Sequence, residues 1–424
     1  MAPTFCCHSN HSVTGVTKEL VMFRLTSVSV FLFPALALGV NSGYSLGAVI
    51  LLLSSLWLLW KRPRLDLQRQ DRLLIGVLLA YCLIFVLNML YHGDPMREFD
   101  MPLRALLVIP VLLVLLAYPP SPGAWWSGLA IGAMAGAVVA LIQFTQAVPI
   151  RPQGATSNPI HYGNVSMLFG MLSLCGLDWA RKQRYYIGWI LLLLAGCIAG
   201  VFGSIISGSR GGWLALPFCF LILALYHARN HGRRYVLITL TLLLTLLALA
   251  YLVPRSPVHE RAVNVASELQ KFEHTGDTGT SVGQRLVMWR TALEMSRQHV
   301  VLGLGRIGYM EQKDALVKAG KMSLGVAAYT NAHNDYLDAL VKRGIPGLLA
   351  LLALFLVPLS LFARVLRDGP ATARPFALGG VVLCTCYIIF GLTTTSLTLN
   401  IGIIMLVFPM IMLWAMTRHQ QRTA

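Results

Sequence analysis

The chain has 424 residues, 56% hydrophobic and only 12% charged, with a formal net charge of +17. Several apolar stretches are long enough to cross a hydrocarbon core of about 30 Å, which excludes an ordinary soluble domain. Those runs are rich in Leu and Ala without dyad alternation, so an all-α polytopic membrane protein is expected and a barrel is not.

In chain order, residues 1–24 are polar and read as a cytoplasmic N-terminal tail, with no cleavable signal peptide and with Met22 as an alternative start to Met1. About twelve spans follow, at 25–40, 44–60, 73–91, 102–118, 124–147, 162–178, 186–206, 211–228, 235–253, 344–363, 375–392 and 396–416. Nine of them fill 25–253, a long polar loop occupies 254–343, three more fill 344–416, and 417–424 form a cytoplasmic tail. The stretch 162–178 is short and contains Asn164; without it, the sidedness of everything downstream would reverse.

Lys and Arg accumulate in short loops kept in the cytoplasm. The segments 61–72, 180–184, 228–234, 363–374 and the tail "TRHQQR" are basic and 119–123 is neutral, while the alternate loops hold scattered cations such as Arg97, Arg151 and Arg210. The net charge is therefore a topology signal and not the footprint of a nucleic-acid partner. It puts 254–343, with nine of the 17 acidic residues, on the outer face. Cys82, Cys175, Cys197, Cys219, Cys384 and Cys386 lie in spans and the long loop has none, which excludes a disulfide framework there. "CCHSNH" (6–11) reads as tail and not as a metal site.

Within the long loop, periodicity predicts surface helices at 258–274 and 284–298, joined by the turn-rich 275–283. In the second, Leu286, Trp289 and Leu293 share a face, and Arg285 stands one turn before Trp289, close enough for its stem to pack on the indole. "GLGRIG" (303–308) formally matches G-x-G-x-x-G, but no βαβ unit surrounds it and the outer compartment normally lacks a nucleotide pool. It reads as a glycine turn between two surface helices.

In "TNAHNDYLDAL" (330–340), Asn331 is the expected N-cap of a helix starting at Ala332. His333, Tyr336, Leu337 and Leu340 then fall at i, i+3, i+4 and i+7, so the histidine shares the inward-packing face. In the first turn, the helix dipole disfavours the imidazolium and keeps a lone pair for general-base work. A lone histidine in such a place more often just bonds a carbonyl beneath a loop. A second group changes the weighing: Ser207 to Gly212, "SGSRGG", interrupts nearly continuous apolar sequence. A snorkelling arginine needs no glycines around it. Small residues that bare backbone N–H groups, a helix N-terminus and a guanidinium together favour an anion site.

"SGSRGGW", then "QRLVMWRTALEM", "VLGLGRIGY" and "NAHNDYLDAL" in that order resemble the O-antigen ligase family of ligase/polymerase-domain membrane glycosyltransferases. The motifs cover about 200–345, and the span layout extends the likeness along the chain. The resemblance implies a GT-C-type helical architecture in the bacterial inner membrane, with the active site on the periplasmic side. It implies transfer of O-antigen from undecaprenyl diphosphate to the outer core sugar of lipid A-core, without metal or other cofactor. On the matching motifs, His333 corresponds to the family histidine, Arg210 to the arginine of its "SRG" motif and Arg285 to its loop arginine.

The expected chemistry is consistent. Arginines, which bind phosphate oxygens bidentately, balance the leaving lipid diphosphate. His333 takes the acceptor hydroxyl proton, an effect typically worth ~10²–10⁴-fold. Displacement from one face inverts the anomeric centre, and no carboxylate stands out as a covalent nucleophile. Asp335 and Asp338 leave the histidine's face and carry no catalytic assignment. Ser209 and Gly211, flanking Arg210, are expected to line the substrate site. Arg151 and His161 in "RPQGATSNPIHYGN" are further substrate candidates, against an equal case for an interfacial turn shaped by Pro152 and Pro159. Trp289 is a sugar-stacking candidate or a membrane-interface anchor. Asn334 orients the histidine or caps the helix.

Membrane lipids are the only other expected partners; the oligomeric state is open. An O-antigen polymerase is the closest rival, disfavoured because one late loop is large, and an O-oligosaccharyltransferase ranks third because the chain ends in a short basic tail. A transporter would show charged or broken helices at mid-bilayer and internal repeats, neither of which is evident.

Overall fold

The computed structural model describes residues 13–63, 65–146, 151–232, 234, 236, 237, 241, 267–274 and 279–424. Among them are helices and turns and no strand. The helices are α1 (Val13–Ala37), α2 (Tyr44–Ser54), α3 (Leu56–Lys61), α4 (Arg69–His92), α5 (Asp100–Ala117), α6 (Pro122–Phe144), α7 (Pro159–Cys175), α8 (Leu177–Ala180), α9 (Tyr186–Ser207) and α10 (Arg210–His231). After these come α11 (Ser281–Gln298), α12 (Gly305–Lys318), α13 (Leu324–Ala327), α14 (Asp335–Asp368), α15 (Arg374–Thr393) and α16 (Asn400–Arg422).

Ten helical stretches among the described residues are long and apolar enough to cross a membrane, and the chain is an all-α polytopic membrane protein. Of the twelve expected spans, 44–60 is a shorter apolar helix, Tyr44–Leu58, and most of 235–253 lies outside the described residues, as do 258–266 and 275–278 of the loop. The polar stretch at 162–178 belongs to a candidate span, Pro159–Ala180, which is mostly buried inside the bundle, so Asn164 faces protein. Residues 13–24, expected as tail, are helical and form the first half of α1. Once a helix is nucleated, each added residue gains a backbone bond, and polar sequence does not stop it.

Helices α7, α15 and α16 are buried nearly all round and form the centre. Helix α9 lies against α6 and α7, α1 against α6, α5 against α16, and α14 against α4 and α15. Small residues set the closest approaches: a Cβ on Gly200 of α9 would stand 2.5 Å from the Ser166 carbonyl of α7.

The basic segments meet at one end. There Arg229 donates to the Arg367 carbonyl at 3.2 Å and Arg422 to the Asp66 carbonyl at 2.6 Å. Asp71 accepts from Trp414 Nε1 at 2.8 Å and pairs with buried Arg418 at 3.0 Å, locking α4 to α16. The long loop packs on the other end. The "GLGRIG" glycines turn the chain from α11 into α12, with Gly303 and Gly305 at φ of 72° and 66°. That turn docks on α4, where Asn88 donates to the Leu302 carbonyl at 2.7 Å and Asp94 accepts the Arg306 N–H at 2.8 Å. It also docks on α14, which bends at Gly344 (φ 62°) as Ile345 N–H reaches the Val300 carbonyl at 2.9 Å.

The structure adds which face of α11 is buried and corrects the start of α14. The buried face of α11 is Met288, Thr291, Ala292, Met295 and Ser296, an i, i+3, i+4, i+7, i+8 stripe, while Leu293 is 43% exposed. Helix α14 begins at Asp335 and not at Ala332; its N-cap is Asn334, whose side chain accepts from the Tyr336 and Leu337 N–H groups at 3.0 Å. His333 therefore precedes the helix, and the shared-face argument for it does not hold.

Candidate active site

The chain brings three of the arginines singled out in the sequence to one cleft. It is a narrow, solvent-open cleft with a volume of about 40 Å³, lined by Arg151, Arg210 and Arg285 together with Ile160, Gly208, Gly211, Ser281 and Thr393. Arg210 opens α10 directly after the turn that ends α9, where Gly208 adopts φ 64°. Arg151 donates from Nε to the Ser207 carbonyl at 2.5 Å and from Nη2 to the Gly208 carbonyl at 2.8 Å. It thus satisfies the C-terminal carbonyls of α9 and fixes the turn that aims Arg210. Ser209 is buried, its hydroxyl donating to Asn164 Oδ1 at 2.7 Å and meeting the Ile160 carbonyl at 3.1 Å, so it works inside the wall that separates α7 from α10. Gly211 stands against Asn164 and Thr393, where a Cβ would lie 2.6 Å from the Thr393 hydroxyl.

Arg210 Nη2 lies 3.8 Å from Glu268 Oε1, and Glu268 also accepts the Val282 N–H at 3.0 Å, tying the 267–274 helix to the start of α11. Burial, and then the neighbouring Arg210 charge, press the Arg285 guanidinium below its ordinary value, with Tyr329 and Glu268 opposing. Arg210 and Arg285, like charges held close enough to perturb one another, favour an anion between them.

His333 stands at the neighbouring wall. Its backbone is left-handed, φ 48°, a strain of roughly 1–3 kcal/mol for a residue other than glycine. The surrounding contacts hold it there. Asn331 Oδ1 accepts the His333 N–H at 3.1 Å, Asp338 accepts the Ala332 N–H at 3.0 Å, and Lys342 donates to the Thr330 carbonyl at 2.9 Å. Lys313 donates to the Tyr329 carbonyl, and the Tyr329 ring meets the imidazole edge-on at 5.0 Å. Lys313 and Lys342 flank the buried Tyr309 ring at 5.1 and 5.5 Å. Burial above all, then the Arg285 charge, push the imidazole down to about 4; Lys313 acts the same way and Asp338 against it. Near neutral pH the ring is uncharged, and Nδ1 is buried without a hydrogen-bond partner among the described residues. The base-competent state expected from the helix dipole is thus reached mainly through desolvation and cationic neighbours.

The other sequence candidates divide. His161 is buried at the head of α7, close enough to His333 for their charges to interact. Asn334 caps α14 and reaches the Leu392 carbonyl at 3.3 Å, beside the Thr393 wall of the cleft. Trp289 is outside the cleft; it packs with Met288, Met322, Val326 and Ala327. Asp335 is structural, accepting the Ser396 N–H at 3.0 Å. Lys313, Lys342, Tyr309 and Glu268 were not legible as site residues, since the contacts that bring them to the site, Lys313 with Tyr329, Lys342 with Thr330 and Tyr309, and Glu268 with Arg210, span distances in sequence that carry no local pattern.

Residues 195–352 match the O-antigen ligase family. The matched O-antigen ligase segment takes in Arg210, Arg285 and His333 and the scaffold of Lys313, Asp338 and Lys342, while Arg151 and His161 lie outside it. The chain is also similar to an uncharacterized protein of Haemophilus influenzae (strain Rd), 27% identical over 394 residues that cover 91% of this chain and 96% of the relative. Together with the helical bundle, the family match supports a membrane glycosyltransferase of ligase or polymerase type.

Proposed function

We propose that the protein transfers O-antigen from undecaprenyl diphosphate to the outer core sugar of lipid A-core, in the inner membrane with the cleft on the periplasmic side. The observation that carries this reading is the convergence of Arg151, Arg210 and Arg285 on one cleft, with His333 within reach of the Arg285 charge. The arginines take the diphosphate oxygens, Arg210 giving up Glu268 for phosphate and the bound anion relieving the repulsion between Arg210 and Arg285. The acceptor hydroxyl oxygen bonds to the anomeric carbon as the carbon–oxygen bond to the diphosphate breaks. The hydroxyl proton passes to neutral His333, and the lipid diphosphate leaves with the bonding electron pair. Attack opposite the leaving group inverts the anomeric configuration. The guanidinium charge makes the step metal-independent in this scheme. A GT-C-type arrangement, with the site between loop and membrane bundle, fits the docking of α11 and α12 on the ends of α4 and α14.

The test is a deletion strain. The expected result is bare lipid A-core with long glycan retained on the carrier lipid. Lipid A-core that still carries single repeat units but no long chains would assign the protein to polymerisation instead.

A further inference from the structure

A second cleft, of about 580 Å³, opens at the same end of the bundle, between the α1–α2 turn, the 153–157 segment and the start of α16. Among the described residues, none that lines it is charged, although the chain carries 34 Lys and Arg. Asn41, Ser42, Gln153, Thr156, Ser157 and Asn400 present amides and hydroxyls, and Tyr44 and Thr398 add two more hydroxyls. Met101, Leu399 and Ile401 interrupt them with apolar surface. Amides and hydroxyls donate and accept alike, which suits the ring and exocyclic oxygens of a sugar, and apolar patches suit its C–H faces. The wall itself presents no charge to a phosphate or carboxylate, and Arg104, the cation near Tyr44, is paired with Asp100 at 2.6 Å.

Placement is the second observation. The 151–160 segment is a partition, with Arg151 and Ile160 on the arginine cleft and Gln153, Ala155, Thr156 and Ser157 on the uncharged one. The partition is held from behind. Gln143 Oε1 accepts the Gln153 and Gly154 N–H groups at 2.9 Å, Gln143 Nε2 donates to the Gly154 carbonyl at 2.7 Å, and Ala155 N–H reaches the Leu38 carbonyl at 3.0 Å. With that backbone satisfied internally, the exposed Ser157 and half-buried Gln153 side chains are available to a ligand.

We propose that this cleft binds an uncharged saccharide segment of one substrate while the arginine cleft holds the diphosphate; the assignment rests on the glycosyltransferase reading. The saccharide belongs either to the donor glycan or to the acceptor core, and kinetics separate the two. Full-length wild type, Ser157→Arg, Asn400→Arg and the milder Gln153→Ala would be compared in nanodiscs. Donor and acceptor are varied separately in transfer assays. Saturation-transfer NMR uses two phosphate-free probes, O-antigen oligosaccharide released from its carrier and dephosphorylated core oligosaccharide. The expected result is a KM for one substrate raised roughly five- to tenfold, the scale of one or two lost hydrogen bonds, with kcat and the other KM unchanged. Saturation transfer from the matching probe alone is lost with it. A change confined to the donor and the O-antigen probe assigns the cleft to the donor; the converse assigns it to the acceptor.

Unmoved KM values with intact transfer, or no binding of either probe by wild type, would overturn the cleft assignment and leave the catalytic reading standing. Probe binding that the variants abolish, in a protein that transfers nothing, would overturn the catalytic reading and leave the cleft. Gln153→Ala keeps the test open if the arginine variants fail to fold.

Discussion

Asp338 and Lys342 form a buried pair one helical turn apart, 2.8 Å between Lys342 Nζ and Asp338 Oδ1, with side chains 5% and 7% exposed. At that separation the attraction is about 6 kcal/mol for an effective dielectric near 20, largely offset by desolvation of both ions. Removing one partner leaves the other charge buried alone, a loss of about 3–5 kcal/mol. The same two side chains hold the Ala332 N–H and the Thr330 carbonyl, so the left-handed His333 depends on them. Asp338→Asn or Lys342→Met alone should lower the thermal unfolding midpoint in detergent and cut transfer by about tenfold or more. The double variant removes both charges and leaves an amide oxygen able to accept the Ala332 N–H, so it should recover most of the lost stability and part of the rate. A double-mutant cycle supplies the measurement. Additive losses, with the double variant the least stable of the three, would refute the coupling and with it the scaffold assigned to His333.

His333→Ala should abolish transfer while the purified protein keeps its elution profile and melting midpoint; substantial residual turnover would remove the base. Arg210→Lys should lose activity despite its retained charge, because an ammonium cannot make the planar two-point contact with phosphate, and a fully active lysine variant would mark Arg210 as an interfacial cation. With its imidazole held at about 4, the free enzyme has neutral His333 above that pH, so kcat/KM should stay flat from neutrality to about pH 5 and fall as pH drops through about 4. Lys313→Met removes a positive neighbour and should move that acid limb upward; a wild-type limb near pH 6.5 would contradict the desolvated site. Transfer should persist in EDTA, and loss that added divalent cations restore would overturn charge balance by arginine.

The bundle was readable because spans are encoded in local composition: of about twelve spans expected from length and apolarity, ten coincide with helices of the structure long and apolar enough to cross a membrane. The interruption "SGSRGG" and the "GLGRIG" turn were readable for the same reason, since glycine and polar residues within apolar sequence have few other uses. The start of α14 was not. Asn331 and Asn334 are both competent caps three residues apart, and the choice falls to Asn334 while Asp338 holds the Ala332 N–H and Asp335 reaches Ser396, sixty-one positions away. Likewise α11 carries two apolar stripes, and only its docking partners decide that Met288, Ala292 and Met295 face inward. Charges that meet through folding left no local trace: Lys342 reaches Tyr309, and Glu268 reaches Arg210.

The central claim is a single chemical event at one cleft. Purified protein, undecaprenyl diphosphate-linked O-antigen and lipid A-core, incubated beside the His333→Ala variant, test it most directly by mass spectrometry of the lipid products. The account predicts O-antigen covalently joined to lipid A-core with stoichiometric release of undecaprenyl diphosphate by the wild type, and neither product by the variant. Glycan lengthened on its own carrier lipid, or intact substrates in both reactions, would contradict it.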